Sequence, residues 1–370
     1  MRQQRGTTAL GVLILLTVSC GVPGAPHLVT IGALLPMTGS AADYGNLMKR
    51  GIDVAVDDAA RTGGADCKVI IEDSKSNPRD GYAGFLKLIS ADKAPVVMPV
   101  LSNIILAVVP TATEKNIALL NCPANSPKLR GASPSFFNLI PLSDRESQDI
   151  AAFARTQFKA RRLALVFVNN DSGRGYRDNV DKSFRLTGGA VVASEGHDQG
   201  TTDFRSTVLR IKQARPDCIF MATYYAESAL FLRQSKAAGL NPHWLSYSSV
   251  ETPEFLKLAG DAAEGLAYSQ PGIDIDAQDS LTKNFVDRYK VRYGGPPDLW
   301  AAQFYDGTRL LYAAVKSGAR TGQQIATFLT GVRDFPGVTG PITFDKDRCV
   351  SRQVRFKQVH DGRFAPYDSH

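Results

Sequence analysis

The residues that most often carry catalysis or bind metal ions are scattered along this chain. The HExxH, P-loop, GxSxG and GxGxxG patterns are absent. Gly173-Arg174-Gly175 starts a glycine-rich pattern, but Asp178 stands where the third glycine belongs. None of the five histidines has a metal-ligating residue three or four positions further on: His27, His197, His243, His360 and His370. The sequence therefore predicts no catalytic residue, no metal site and no cofactor.

A different chemistry, the binding of a small anion, is indicated where a buried strand leads into a helix. The apolar run 28–35 predicts a strand buried on both faces of a parallel sheet, and Pro36 ends it because proline cannot donate to a ladder. A small polar loop with Gly39 and Gly45 follows, where glycine permits positive φ. Apolar residues at helical spacing come next. Ligands bind at the carboxyl ends of such strands, where helix N-termini attract anions, although this unit alone also fits an ordinary connection.

Strands and helices alternate along the rest of the chain. Apolar runs predict strands in a first series and again in a second: 68–73, 95–100 and 117–120, then 162–168, 191–193 and 217–222. Two successive βαβα series imply an α/β architecture of two similar doubly wound lobes. A last strand is expected at 351–359.

Polar and aromatic residues stand where several of these strands end. Ser102 or Asn103 is expected to cap the helix after the run 95–100. Residues 169–176 are expected to form the loop after the run 162–168, and Tyr224 follows the run 217–222.

The first 19 residues have the pattern of a secretory leader. Arg2 and Arg5 precede an apolar run that is shorter than the ~20 residues of a membrane-spanning helix. The small residues before Cys20 resemble a bacterial lipobox, which implies a lipid on Cys20 and a short tether at 20–27. Thr17 stands where a lipobox usually has leucine, so plain cleavage stays an alternative.

Length, charge and cysteine content fit an exported protein of two domains. The 370 residues suit two domains of ~100–200 residues each. The net charge of +7 is dispersed, and its densest cluster, 159–162, is better explained as a solvated face than as a nucleic-acid site. Cys218 lies in an expected buried strand and is expected to be inert. Export permits disulfides, but the sequence leaves the pairing open among Cys67, Cys122, Cys218 and Cys349.

A series of phrases covers nearly the whole mature chain in order: IGALLPMTGSAADYG…GIDVAVDDA, IIEDSKSNP, VLSN, NCPANSP, NDSGRGY, TTDF, SVETPEFLKLAGDAAEGL and AAQFYDG. This series resembles the branched-chain amino acid (Leu/Ile/Val)-type substrate-binding proteins, the extracytoplasmic receptors of ABC importers. The resemblance implies the periplasmic binding protein type I fold, with two Rossmann-like lobes joined by a three-strand hinge. Lobe 1 would comprise 28–142 and 272–345, and lobe 2 would comprise 143–271 and 346–370.

The resemblance also implies how a ligand carboxylate is held. In this family, hydroxyl and backbone N–H groups at helix N-termini of lobe 1 bind it. Ser102 matches the serine of the first loop, and Asn125 stands where the second loop usually has threonine. Ser172 replaces a closing tyrosine, with Tyr176 four places later, so a wider or wetter pocket is expected.

Other contacts are implied by aromatic and acidic positions. Tyr224 matches a second family aromatic at a strand end. The family's amino-acid binders hold the ligand ammonium with an acid just before the PEF phrase, where this chain has serines and Glu251 comes two or three residues later. Glu251 also fits a favourable acid at a helix start. The expected ligand contacts are Tyr44, Ser102, Asn103, Ala124, Asn125, Ser172, Tyr176, Tyr224, Ser249 and Glu251.

Two ligand classes stay open. An amino acid requires a partner for its buried ammonium, whereas an aromatic or 2-oxo acid requires only the carboxylate clamp and aromatic walls. The expected partners are the permease and ATPase subunits of an ABC importer, with membrane contact only through the lipid anchor and no nucleic acid. A monomer in the periplasm or at the cell surface is expected. A sensor of the same fold with a signalling partner is the alternative, and a secreted enzyme is a more distant one.

Overall fold

Two parallel β-sheets with helices on their faces form this protein. The computed structural model describes residues 28–62 and 66–368, so the leader, Cys20 and the tether lie outside the described residues. Within that described part, no helix is both long and apolar enough to cross a membrane.

The first sheet contains five parallel strands in the order β2-β1-β3-β4-β5: β1 (Val29–Leu35), β2 (Cys67–Asp73), β3 (Val96–Pro99), β4 (Ala118–Asn121) and β5 (Phe136–Asn138). Three helices connect them: α1 (Ala42–Arg61), α2 (Pro78–Ser90) and α3 (Ser102–Glu114). Every residue of β1 is buried, as its apolar sequence predicts for a strand covered on both faces.

The second sheet repeats this pattern and adds an antiparallel edge. Its order is β12-β11-β10-β9-β8-β6-β7. The parallel strands are β6 (Arg162–Val168), β7 (Ala190–His197), β8 (Cys218–Ala222), β9 (His243–Tyr247) and β10 (Ala267–Gln270). Its helices are α4 (Ser143–Thr156), α5 (Asp171–Leu186), α6 (Arg205–Ala214), α7 (Tyr225–Ala237) and α8 (Pro253–Ala259).

After β10 the chain returns to the first sheet in three helices: α9 (Ser280–Tyr293), α10 (Leu299–Lys316) and α11 (Gly322–Thr330). Asp58 of α1 accepts hydrogen bonds from Arg288 of α9 and from the hydroxyl of Tyr305 of α10. At Gly51, α1 approaches α10 so closely that a Cβ would lie 2.0 Å from the carbonyl oxygen of Ala301. The last two strands are β11 (Arg355–His360) and β12 (Arg363–Pro366); β11 pairs antiparallel with β10 on one side and with β12 on the other.

The chain passes between the two sheets three times, after β5, after β10 and after α11. The first and third passages are bonded to each other. The Asn138 N–H donates to the Arg348 carbonyl at 2.8 Å, and the Val350 N–H donates to the Asn138 carbonyl at 3.0 Å. The prediction of two doubly wound lobes is confirmed. The hinge was expected to have three strands, and three passages of the chain join the lobes, whereas the boundaries at 142, 271 and 345 stay predictions.

Three local expectations differ from the structure. The last strand begins at Arg355 and not at 351, because only residues from Arg355 onward find partners in β10. Residues 169–176 are not all loop, because Asn170 caps α5 by accepting from the Gly173 N–H, which makes Tyr176 helical. Gly45 lies in α1 without positive φ, and it is needed there because a Cβ would lie 2.2 Å from the Pro36 carbonyl oxygen.

The start of α3 also differs from the expectation. Its N-cap is Leu101, at φ 69°, whose side chain makes no capping hydrogen bond. Ser102 and Asn103 are therefore the first two helical residues and neither is the N-cap. The four cysteines of the described chain are free thiols: Cys67, Cys122, Cys218 and Cys349.

Candidate functional site

A small cavity lies between the two lobes where the carboxyl ends of both sheets face each other. Its volume is about 30 Å³, and Tyr44 and Asn125 of one lobe are hydrogen-bonded across it to the other lobe, so the lobes are in a closed arrangement. The lining residues come from both lobes and are mostly apolar or aromatic: Tyr44, Met48, Val100, Leu101, Ser102, Pro123, Ala124, Asn125, Ser172, Tyr224, Tyr247 and Trp300.

The lobe 1 wall consists mainly of residues that directly follow strands β3 and β4. Because parallel strands end at one edge of the sheet, the loop after β3 and the loop after β4 meet there. The side-chain oxygen of Ser102 accepts a hydrogen bond from the Ser126 N–H at 3.3 Å, which joins the two loops. The N-terminus of α3 lies at this wall. Oδ1 of Asn103 accepts from the Ile104 N–H, and the N–H groups before it are suited to a carboxylate.

Tyr44, in the first turns of α1, connects the two lobes across the cavity. Its hydroxyl donates to the carbonyl of Ser249 at 2.8 Å and accepts from the Tyr225 N–H at 3.0 Å. Its ring packs on Trp300, with centroids 4.7 Å apart, and edge-on against Tyr225 at 5.2 Å. Burial raises the pKa of Tyr44 well above its ordinary value, so the phenol is neutral and serves as a hydrogen-bonding bridge.

Asn125 is bonded to lobe 2 through both ends of its amide. The Ser172 hydroxyl donates to its Oδ1 at 2.5 Å, and its Nδ2 donates to the hydroxyl of Tyr176 at 2.8 Å. Both partners lie on α5, whose N-cap, Asn170, fixes the position of its first turn. Asn125 therefore links the loop after β4 to the opposite lobe.

Tyrosines at two strand ends form the lobe 2 wall. Tyr224 precedes α7, and its hydroxyl accepts a hydrogen bond from Nδ2 of Asn170 at 2.9 Å. Burial raises the pKa of Tyr224 to about 12. Tyr247 is the last residue of β9, and its ring lies 4.5 Å from that of Tyr176. These rings present flat apolar surfaces to a ligand.

Six expected contact residues line the cavity: Tyr44, Ser102, Ala124, Asn125, Ser172 and Tyr224. Four others lie outside its wall. Oδ1 of Asn103 accepts from the Ile104 N–H, and Tyr176 is buried in the core of lobe 2. The hydroxyl of Ser249 donates to the Thr223 carbonyl at 2.8 Å, and Glu251 forms an ion pair with Lys357 of β11.

The remaining wall residues were not expected from the sequence: Met48, Val100, Leu101, Pro123, Tyr247 and Trp300. Val100, Pro123 and Tyr247 lie at strand ends, so the general rule for parallel sheets would have found them. Trp300 gave no such signal, because it stands in the first turn of α10, far along the chain from the other wall residues.

Charge is absent from the described wall. No Asp, Glu, Lys, Arg or His is among the residues that line the cavity. The buried carboxyl of Glu146 accepts from the Ser269 and Tyr176 hydroxyls, each at 2.5 Å. Burial raises the pKa of Glu146 to about 7, and its two hydrogen bonds oppose this rise. Because no charged side chain lines the cavity, a carboxylate ligand would be held there by neutral donors.

One cluster of possible metal ligands lies elsewhere in the described chain, at the exposed turn between β11 and β12: Glu264, His360 and Asp361. Glu264 already accepts from the Asp361 and Gly362 N–H groups, at 3.1 and 3.3 Å. Its evident role is to stabilise that turn.

Comparison with known proteins is consistent with this architecture. A family model described as periplasmic binding protein matches residues 28–363. The leucine-, isoleucine-, valine-, threonine-, and alanine-binding protein of Pseudomonas aeruginosa is 24% identical over 327 residues, 87% of each chain.

Two solved structures show the same fold. A leucine binding protein from Thermotoga maritima has a TM-score of 0.88 at 24% identity, covering 92% of this chain and 98% of that one. A solute binding protein of an ABC transporter from R. palustris, in complex with benzoate, has a TM-score of 0.82 at 21% identity and covers 93% and 98%.

Proposed function

Because this chain belongs to the periplasmic binding protein family, whose members are extracytoplasmic binding proteins, we propose that it is the solute-binding receptor of an ABC importer. Its ligand is a small carboxylate that binds between the lobes. The observation that carries this proposal is the cavity itself, with aromatic walls from both lobes and the N-terminus of α3 at one side.

Lobe closure is the proposed mechanism. A ligand that contacts both lobes binds the closed form more tightly than the open one and shifts the population toward it. Because the closed cavity holds only about 30 Å³, a ligand must enter while the lobes are apart. The bonds of Tyr44 and Asn125 across the cleft then form as the lobes meet.

The neutral wall favours an aromatic or 2-oxo carboxylate as the ligand. A buried ammonium group requires an acid or several acceptors, since an unpaired desolvated charge is very costly. The described wall offers no acid, and Glu251 is already paired with Lys357. The benzoate complex of the R. palustris protein accords with this choice.

An amino acid is the second candidate, and the name of the P. aeruginosa relative favours it. It would require Glu251 to leave Lys357 and turn toward the ligand ammonium. An amino acid therefore requires the Glu251 carboxylate at the ligand, whereas an aromatic or 2-oxo acid leaves it paired with Lys357.

Calorimetric titration of the purified chain with benzoate, 4-methyl-2-oxopentanoate and leucine separates the candidates. We expect benzoate or 4-methyl-2-oxopentanoate to bind, and we expect Glu251→Gln to leave the affinity for that ligand unchanged. A ligand at ~100 times its dissociation constant also adds ~2.7 kcal/mol of stability, which a thermal melt detects.

The control for this titration is Lys357→Gln, which breaks the same ion pair and retains the carboxylate. Tight binding of leucine that is weakened by ~2 kcal/mol or more in Glu251→Gln, but not in Lys357→Gln, would establish the amino-acid candidate instead. The importer role is tested by ligand-dependent stimulation of ATP hydrolysis in the reconstituted ABC transporter. If the ligand-bound chain activates a signalling protein and does not stimulate ATP hydrolysis by the transporter, the protein is a sensor.

We also propose that Cys20 carries the lipid that keeps the protein at a membrane surface, because small residues precede it at the end of the leader. Fractionation of cells should find the wild type in the membrane fraction and Cys20→Ala in the soluble extract. A wild type found entirely in the soluble extract would refute the anchor.

A further inference from the structure

A chain of buried hydrogen bonds leads from the cavity wall to the hinge side of lobe 2. It begins at Asn125, whose Nδ2 donates to the hydroxyl of Tyr176 at 2.8 Å. The Tyr176 hydroxyl donates to Glu146 at 2.5 Å, and the other Glu146 oxygen accepts from Ser269 at 2.5 Å. Glu146 is 1% exposed, and the side chains of Tyr176 and Ser269 are fully buried.

The direction of these bonds follows from the chemistry of the groups. The Tyr176 hydroxyl donates to Oε2 of Glu146, and this oxygen accepts whether the carboxyl is ionised or carries its proton on Oε1, so the single proton of the Tyr176 hydroxyl is committed to Glu146. The Tyr176 oxygen then faces Asn125 as an acceptor and requires the NH₂ end of its amide. A flipped Asn125 would place two acceptor oxygens against each other.

Ser172 reinforces the same orientation from the other end of the amide. Its hydroxyl donates to Oδ1 of Asn125 at 2.5 Å. With one N–H and one lone pair of the amide used by lobe 2, the second N–H and the second lone pair of Asn125 are left for the cavity that it lines.

The far end of this chain lies beside the passages between the lobes. Glu146 is in the first turn of α4, directly after the first passage, and Ser269 is in β10, directly before the second. Asn125 belongs to lobe 1, whereas its three downstream partners belong to lobe 2. The bond between Asn125 and Tyr176 therefore exists only when the lobes are together.

We propose that Tyr176 and Glu146 are positioning residues: they orient the amide of Asn125 toward the ligand and hold the closed arrangement through it. Neither residue lines the cavity. This inference rests on the proposed closure of the lobes over a ligand, and it assigns to two buried residues an effect on affinity without direct ligand contact.

The variant Tyr176→Phe tests the proposal, because it retains the ring and removes the hydroxyl that joins Asn125 to Glu146. We expect the closed fraction of the ligand-free chain to fall, as read from the radius of gyration in solution scattering or from the distance between one label in each lobe. The dissociation constant of the bound probe, benzoate or leucine, should rise about tenfold because a buried amide loses its partner.

The matched control is Tyr305→Phe, which removes a hydroxyl that is bonded to Asp58 at 2.7 Å within lobe 1, outside this chain of bonds. It should change neither the closed fraction nor the dissociation constant. The side-chain NH₂ signals of Asn125, identified by their loss in Asn125→Asp, should shift in Tyr176→Phe and not in the control. An unchanged closed fraction in Tyr176→Phe would overturn the proposal.

A second pair of variants decides the matter if Tyr176→Phe does not fold. Glu146→Gln retains an oxygen that accepts from Tyr176, whereas Glu146→Ala removes it. We expect the glutamine variant to keep the closed fraction and the alanine variant to lose it, and equal behaviour of the two would overturn the proposal. Because closure is read without ligand, failure of both probes to bind would contradict the proposed ligand classes and leave this test intact.

Discussion

Glu146 is a buried carboxyl that makes the stability of this protein depend on pH. Its pKa in the folded chain is about 7, against an ordinary value of 4.5, because burial disfavours its charged form. A folded-state pKa above the unfolded value means that the folded state binds the proton more tightly. The resulting stability is complete below about pH 4.5 and is lost as the pH rises through about 7.

We therefore predict that Glu146→Gln flattens the pH dependence of unfolding between pH 4.5 and 7.5. At about 1.4 kcal/mol per pKa unit, the wild type should lose about 3 kcal/mol over this range that the variant does not lose. Urea titrations at several pH values measure the slope. Glu114→Gln, at an exposed position, is the control for a simple change of charge, and the same slope in the wild type and in Glu146→Gln would contradict the prediction.

At the residue scale, the sequence could place a side chain near the cavity only where a strand end determines its position. Ser102 and Asn125 lie in the segments that follow β3 and β4, and such positions are readable from apolar runs. Tyr176 has no such signal, because one turn of helix decides whether its ring faces the cavity or the core. The ion-pair partner of Glu251 could not be predicted either, because Lys357 lies 106 positions away in a strand whose pairing forms only on folding.

At the scale of elements, apolar runs identified seven of the ten parallel strands, whereas β5, β9 and β10 were not predicted. The central strands β1 and β8 are almost entirely apolar because every residue in them is buried. Boundaries were less accessible. The N-cap is Leu101, which has a left-handed φ, so α3 begins at the serine that was expected to cap it. Successive residues of β11 are half-buried, so alternation between buried and exposed positions is weak there, and its start at Arg355 was set by pairing with β10.

The helices that return to lobe 1 show why packing between distant elements could not be predicted from the sequence. α10 contributes Trp300 to the cavity and also packs along α1, which contributes Tyr44. The close approach at Gly51 sets the distance between these two helices. The site thus depends on a contact between elements some 250 residues apart in the chain, which periodicity within either helix does not reveal.

At the scale of the whole molecule, closure depends on a few groups that reach across the cleft. Tyr44 is the most central of them. In the closed arrangement its hydroxyl satisfies the carbonyl of Ser249 and the N–H of Tyr225, both in lobe 2. When the lobes separate, water can satisfy the same three groups. The Tyr44 hydroxyl therefore favours closure only to the extent that its two bonds replace those to water.

We predict that Tyr44→Phe weakens closure and ligand affinity together. The ring still packs on Trp300, but the Ser249 carbonyl and the Tyr225 N–H are left buried without a partner, which costs the closed form about 1–3 kcal/mol. The dissociation constant should rise by the corresponding factor in calorimetry, and scattering should show less compaction at a given ligand concentration.

The control is Tyr82→Phe, which removes a hydroxyl bonded to Thr111 at 3.0 Å within lobe 1. That variant should lower the melting temperature without changing the affinity, because its lost bond is present whether the lobes are open or closed. If both variants lose affinity equally, the hydroxyl of Tyr44 has no special role in closure.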